Sequence, residues 1–140
     1  MSPTYPAPGK GAAVTSVRGL AAICLDSHDP AALALFYATL LGAPYEVDDD
    51  GQGASVQLPE GPNIDCLPVL GHKIVKNRVH IDFRAADLDA AVAHAVTLGA
   101  TLAPDIYEGD RWVVLRDPQG NEFCFLRPRP DGAIRSSLGD

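Results

Sequence analysis

Long apolar runs, paired cysteines and basic stretches are all missing from this 140-residue chain, and each absence removes a class of function. No segment approaches the roughly 18 apolar residues that a membrane-spanning helix needs. The first fourteen residues, MSPTYPAPGKGAAV, lack the continuous apolar stretch of a secretory signal, so a cytoplasmic location is expected. Cys24, Cys66 and Cys124 are odd in number and form no C-x-x-C pair, which argues against a disulfide framework and a zinc ribbon. They read as free thiols of a reducing compartment. Lysine is scarce (Lys10, Lys73 and Lys76), the eight arginines form no run, and the net charge is −7. General affinity for nucleic acid or an anionic membrane is therefore not expected. H-E-x-x-H, G-x-S-x-G and a P-loop are absent. Gly51-Gln52-Gly53 lacks the third glycine of a dinucleotide fingerprint, and Asp48-Asp49-Asp50-Gly51 has turn rather than calcium-loop spacing.

What remains is an ordinary globular composition, 46% hydrophobic and 21% charged, in a length that supports one domain. Residues 1–14, rich in Pro, Gly and Ala, read as a flexible arm, and residues 128–140 as a flexible tail. The folded body is expected over residues 15–127. Val17 to Asp26 reads as a strand. Asp29-Pro30 then offers an N-cap acid with proline at the first helical position. Leu33, Phe36, Tyr37, Leu40 and Leu41 make one apolar helical stripe closed by Gly42. Three short strands follow, at Tyr45–Val47, Ala54–Leu58 and Ile64–Val69, with turn-forming clusters between them.

The same order then repeats. Arg78–Arg84 reads as a strand, Asp87 caps a helix with Leu88, Ala91, Val92, Ala95 and Leu98 on its stripe, and Gly99 ends it. Three strands follow, about Thr101–Ile106, Arg111–Arg116 and Glu122–Leu126. Asp29 and Asp87 are 58 residues apart, as are Cys66 and Cys124, and Leu41-Gly42-Ala43 answers Leu98-Gly99-Ala100. One offset relating several features indicates a duplication. The expected fold is α+β: two tandem βαβββ modules, about 15–70 and 76–127, forming a cupped, incomplete mixed β-barrel with helices outside.

Strand alternation sorts the candidate site residues. Val79, Ile81 and Phe83 fall on one side of their strand and His80, Asp82 and Arg84 on the other. In the last strand Phe123 and Phe125 oppose Glu122, Cys124 and Leu126. A type I turn at Asp117-Pro118-Gln119-Gly120-Asn121, with glycine left-handed, places Trp112 and Val114 on the face of Cys124 and Leu126. A tryptophan among charges fits a concave pocket better than a solvated face. His80, Asp82 and Glu122 are the candidate acid/base residues, and Trp112, Arg84, Cys124, Val114 and Cys24 the candidate ligand-binding ones. His94 lies off its helix's stripe and reads as a surface residue; His28 and His72 have no nameable partner.

Asp29-Pro30 leading to Phe36-Tyr37 and Leu41-Gly42, then Lys76-Asn77-Arg78-Val79-His80-Ile81-Asp82, then Asp117-Pro118-Gln119-Gly120-Asn121, together resemble the vicinal oxygen chelate superfamily. That superfamily includes glyoxalase I, bleomycin-resistance proteins and extradiol dioxygenases. The resemblance covers residues 15–127, is nearest to single-domain glyoxalase-like members, and implies cupped half-barrels that often pair as homodimers. It also implies metal ligands on the first and last strands of each module. Seven residues before Asp87 stands His80, which matches; seven before Asp29 stands Ala22, which binds no metal. Four residues after Gly120, where the family has glutamate, stands Cys124. Four after Gly61 stands Asp65, or Cys66 if the 58-residue offset governs.

The broken ligand set leads to a first expectation of a small-molecule-binding protein without a metal cofactor. It would bind an organic ligand in the cup for sequestration or metal-free acid/base chemistry. The alternative is a glyoxalase-like lyase or isomerase using a divalent metal (Zn, Ni, Mn or Fe) on His80, Cys124 and Asp65 or Cys66. A third is a non-catalytic dimeric interaction module.

Overall fold

The computed structural model describes residues 15–105 and 112–136. The first module runs β1 (Ala22–Ser27), α1 (Pro30–Leu41), β2 (Tyr45–Val47), β3 (Ala54–Val56) and β4 (Asn63–Pro68). The second repeats that order as β5 (Ile81–Arg84), α2 (Leu88–Thr97), β6 (Thr101–Leu102), β7 (Trp112–Arg116) and β8 (Glu122–Leu126). Each forms its own four-stranded mixed sheet, ordered β1-β4-β3-β2 and β5-β8-β7-β6, and the two do not close into a barrel. In both, the first and last strands pair in parallel and the other pairs are antiparallel. The α+β fold of two βαβββ modules is therefore present as the sequence reads it.

The helix signals act where the sequence puts them. The Asp29 carboxylate accepts the Ala32 amide at 3.2 Å, and that of Asp87 accepts the Ala90 amide at 3.0 Å, each satisfying an orphan donor of the first turn. Gly42 takes the left-handed conformation (φ 64°) that closes α1. Leu33, Phe36 and Tyr37 are buried, and α1 packs them on Val56, Ile64 and Cys66. The helix also reaches the second module. Phe36 meets Phe123 edge-on with ring centroids 5.9 Å apart, Tyr37 meets Phe83 at 6.1 Å, and Phe123 meets Phe125 at 5.5 Å. One aromatic core thus spans both modules, and its large rings account for much of the apolar burial.

Several strands are shorter than expected. β1 starts at Ala22 rather than Val17, leaving Val17 and Leu20 exposed. β5 starts at Ile81 rather than Arg78. Val79 is 76% exposed and does not pack with Ile81 and Phe83. The reason is pairing: among the described residues β5 has only β8 as a partner, their ladder begins at Ile81 with Phe123, and upstream the Asn77 amide turns to the Glu122 side chain. β3 stops at Val56, and β6 is confined to Thr101–Leu102, opposite Arg116 and Leu115. Ile106, Arg111 and residues 1–14 lie outside the described residues.

The modules are also joined by a buried polar link. The Tyr37 hydroxyl donates to the Asp117 carboxylate at 2.7 Å, 80 residues away. Asp117 also accepts the amides of Gln119 (2.8 Å) and Asn121 (3.0 Å), fixing the β7–β8 turn, in which Gly120 has φ 88°. Burial pushes the Asp117 carboxyl up, while the Tyr37 and Asn121 donors pull it down without cancelling the rise. The Tyr37 bond favours the ionised carboxylate, so its loss costs most once pH exceeds the carboxyl's raised titration range. Tyr37→Phe is expected to destabilise the fold by about 1–3 kcal/mol at pH 8 and by less toward acid. Urea unfolding at both pH values checks this; equal stability of variant and wild type at pH 8 would contradict it.

Candidate functional site

The free face of the second sheet is built from three rows of side chains. The ladders set Asp82 beside Cys124 and Cys124 beside Val114, forming the middle row. Arg84, Leu126 and Trp112 form the next, toward the ends of β5 and β8. Arg116 and Glu122, with His80 just ahead of β5, form the third. The two-residue period of the strands puts Ile81, Phe83, Phe123 and Phe125 underneath, toward the helices. A cavity of about 400 Å³ lies on this face, lined by Lys76, His80, Asp82, Glu122, Cys124, Val114, Leu126 and Trp112. Val114 and Cys124 pack with Ala103 and Trp112 as a small apolar cluster apart from the main core.

Asp82 is the polar hub of the middle row. His80 Nδ1 lies 2.7 Å from its carboxylate, and Cys124 Sγ lies 3.8 Å from the same nitrogen. Facing a carboxylate, Nδ1 carries the ring proton and donates it, which leaves the Nε2 lone pair available. His80 and Asp82 side chains are 43% and 39% exposed, so an incoming molecule reaches them directly. Cys124 is buried and its thiol is pushed up to about 12, first by desolvation and then by the charge of Asp82 and the hydrogen bond to it; Lys76 opposes weakly. Its sulfur is thus held as a thiol beside Asp82 and the His80 ring, and His80, Asp82 and Cys124 form one cluster.

The other sequence candidates lie apart from that cluster or are engaged. Glu122 faces the cavity, but it is 3% exposed and both oxygens are occupied. They accept the Lys73 ammonium at 2.8 Å and the Asn77 amide at 2.7 Å, with the Arg116 guanidinium 3.6 Å away. Burial pushes its carboxyl up, but Lys73 and Asn77 outweigh that and hold it below its ordinary value. It anchors the inter-module linker. Arg84 shares the face of Asp82 but binds the C-terminal segment, through the carbonyls of Arg127 (2.8 Å) and Ile134 (3.2 Å) and the Ser136 hydroxyl (3.2 Å). Cys24 is exposed on β1 and lines a separate cleft of about 490 Å³ between the modules, with Ile23 and Ile81. Cys66 is buried under α1, and its thiol is pushed up to about 12, mainly by burial. Asp65 points to the opposite face of the first sheet and accepts the Ser55 hydroxyl at 2.6 Å. The Lys73–Glu122 pair carries no sequence signal, since its two residues meet only in three dimensions.

A divalent cation tests this donor set. Across the two modules the set fails: Ala22 offers no ligand atom, and Asp65 lies outside the one group of three close donors found among the described residues. Within the second module it fits. His80, Asp82 and Cys124 present nitrogen, oxygen and sulfur ligand atoms, all within 4.8 Å of one another. That mixture suits zinc and its neighbours, with Cys124 bound as thiolate.

The thiols provide a check on this geometry. A thiol at about 12 is ionised in only about one molecule in ten thousand at pH 8, so Cys124 and Cys66 are expected to resist alkylation in the folded chain. Exposed Cys24 should react first with iodoacetamide, and the other two only after unfolding. Peptide mass spectrometry reads the order; modification of Cys124 as fast as Cys24 would contradict the buried placement.

Residues 22–126 match the glyoxalase-like domain family. No curated protein matches the chain. Among solved structures, it is similar to a glyoxalase/bleomycin resistance protein/dioxygenase family enzyme from Burkholderia phytofirmans. The identity is 19% and the TM-score 0.61, over 79% of this chain and 98% of that one. It is also similar to a glyoxalase-related enzyme from Fulvimarina pelagi, at 15% identity and TM-score 0.64, over 87% and 100%. A third is the fosfomycin resistance protein FosX from Mesorhizobium loti, at 14% identity and TM-score 0.63, over 82% and 95%. At these identities the likeness is one of fold. The family match spans most of the chain and both modules, so this protein belongs to the glyoxalase-like domain family of the vicinal oxygen chelate superfamily.

Proposed function

We propose that the protein binds a small organic molecule in the cup of its second sheet and uses the His80–Asp82 pair for metal-free acid/base work on it. The observation that carries this reading is the 2.7 Å contact between His80 Nδ1 and Asp82, at an open cavity walled by Trp112, Val114 and Leu126. A volume near 400 Å³ with an apolar wall and a few polar groups is that of a small-ligand site. Trp112 and Leu126 offer a surface for an aromatic or aliphatic body. Asp82 fixes the tautomer of His80, so Nε2 takes a proton from an acidic C–H or O–H and later returns it. The nearby carboxylate stabilises the imidazolium in between. Where the ligand carries no such proton, the same contacts sequester it.

A second reading rests on the same cluster. A divalent cation held by His80, Asp82 and Cys124 would polarise an oxygen of the ligand, as a lyase or isomerase of this family requires. Its obstacle is the protonated thiol of Cys124, which must lose its proton on binding. The free thiols among the described residues suit a reducing, cytoplasmic setting. Exposed Leu70, Ile74, Val75 and Val79 in the linker support pairing as a homodimer. No helix among the described residues is long and apolar enough to cross a membrane.

The only tryptophan of the chain reports on the cup. Titration with a panel of aromatic acids, phenols and neutral aromatics should give saturable quenching of Trp112 that a chelator leaves unchanged. His80→Ala is expected to weaken binding of the hydrogen-bonding compounds about tenfold, equivalent to about 1.4 kcal/mol. No saturable quenching by any compound would overturn the reading. For the cation reading, protein loaded with excess Zn²⁺ and desalted is assayed for zinc. About one zinc per chain, lost in both His80→Ala and Cys124→Ala, would replace the metal-free mechanism with the cation-dependent one.

A further inference from the structure

One side chain of the second sheet gathers the C-terminal segment after β8. We infer that Arg84 is a positioning residue that holds residues 127–136 as the end wall of the cup, and so sets how long a ligand is retained there. This rests on the reading of the cup as the ligand site.

Arg84, Leu126 and Trp112 are neighbours across β5, β8 and β7, and Leu126 and Trp112 line the cavity. Phe83 points into the aromatic core, so the alternation sends Arg84 to the cup side, with Asp82. From there its guanidinium bonds the carbonyl of Arg127, just past the end of β8, and the carbonyl of Ile134 seven residues later, together with the Ser136 hydroxyl. One fork therefore ties together the two ends of a loop. The rigid, planar donor geometry of arginine suits several fixed acceptors at once, and lysine offers only a point charge.

The loop has internal order of its own. The Gly132 amide donates to the Arg129 carbonyl at 3.0 Å, and Gly132 takes φ 73°. Asp131 accepts the Arg129 guanidinium at 3.1 Å and the Ala133 amide at 3.0 Å. A turn so braced returns the chain to Arg84 beside Leu126 and Trp112, against which the apolar body of a ligand is proposed to lie. At the opposite end of the cup, the linker is anchored in the same manner by Glu122. A carboxylate thus holds the linker beside one end row of the sheet, and a guanidinium holds the tail beside the other.

The probe is 8-anilinonaphthalene-1-sulfonate, an aromatic anion that accepts energy from tryptophan. Stopped-flow transfer from Trp112 gives its association and dissociation rates, and hydrogen exchange reports on the 128–136 amides. In Arg84→Ala, exchange in 128–136 should rise at least tenfold, and dissociation about tenfold with association changed less than threefold. Arg84→Lys should restore neither fully. Truncation after Arg129, which keeps Arg84, should reproduce the fast dissociation. Fast tail exchange with unchanged dissociation would overturn the inference, as would unchanged tail exchange in Arg84→Ala. Absence of energy transfer in the wild type would overturn the inference, and if no compound of the panel quenches Trp112 either, the cup reading falls with it.

Discussion

The parallel pairing of β5 with β8 is the constraint on which the rest of the molecule depends. With Asp82 set beside Cys124 and Phe83 beside Phe125, the strand period of two assigns every side chain of both strands to one of two environments. Phe83, Phe123 and Phe125 join Phe36 and Tyr37 in the core that unites the modules. His80, Asp82, Cys124 and Leu126 line the cup. A slip of β5 by one residue would turn His80 and Asp82 toward the core and Phe83 toward the cup. The buried Tyr37–Asp117 bond opposes such a slip, because it ties α1 to the turn from which β8 departs.

Much of this was legible in the sequence because its causes are local. Asp29-Pro30, Gly42, Asp87 and the Asp117–Asn121 turn act within a few residues of themselves, and each does in the structure what its chemistry dictates. Alternation and the turn suffice to bring His80, Asp82, Cys124, Trp112 and Val114 to one face. What was not legible depends on distant partners. Nothing in Glu122 announces that Lys73 and Asn77 will occupy its carboxylate, and nothing in Arg84 announces residues 127–136. Strand ends were over-extended for a related reason: Val79 has the apolar character of a strand residue but, among the described residues, no strand beside it to pair with.

The choice between Asp65 and Cys66 shows how a single residue of register decides chemistry. Cys24 pairs with Asp65, whereas Asp82, 58 residues further on, pairs with Cys124, which is 59 residues beyond Asp65. Asp65 is thus the counterpart of Cys124, and Cys66 the counterpart of core residue Phe125. The duplicated modules keep the same strand order but differ in the side chains of their open faces. The open face of the first carries Ala22 where the second carries His80, so the imidazole, the carboxylate beside it and the thiol are gathered in one module. The proposed acid/base work and the alternative cation binding would draw on the same three side chains.

The central claim is that the cup of the second sheet, and not the cleft between the modules, receives the ligand. Crystals soaked with a library of small aromatic fragments test it most directly. The expected result is fragment density stacked on Trp112 and Leu126, with polar atoms within hydrogen-bond distance of His80 Nε2. Fragments clustered in the cleft between Ile23 and Ile81, with the cup empty across the library, would contradict it.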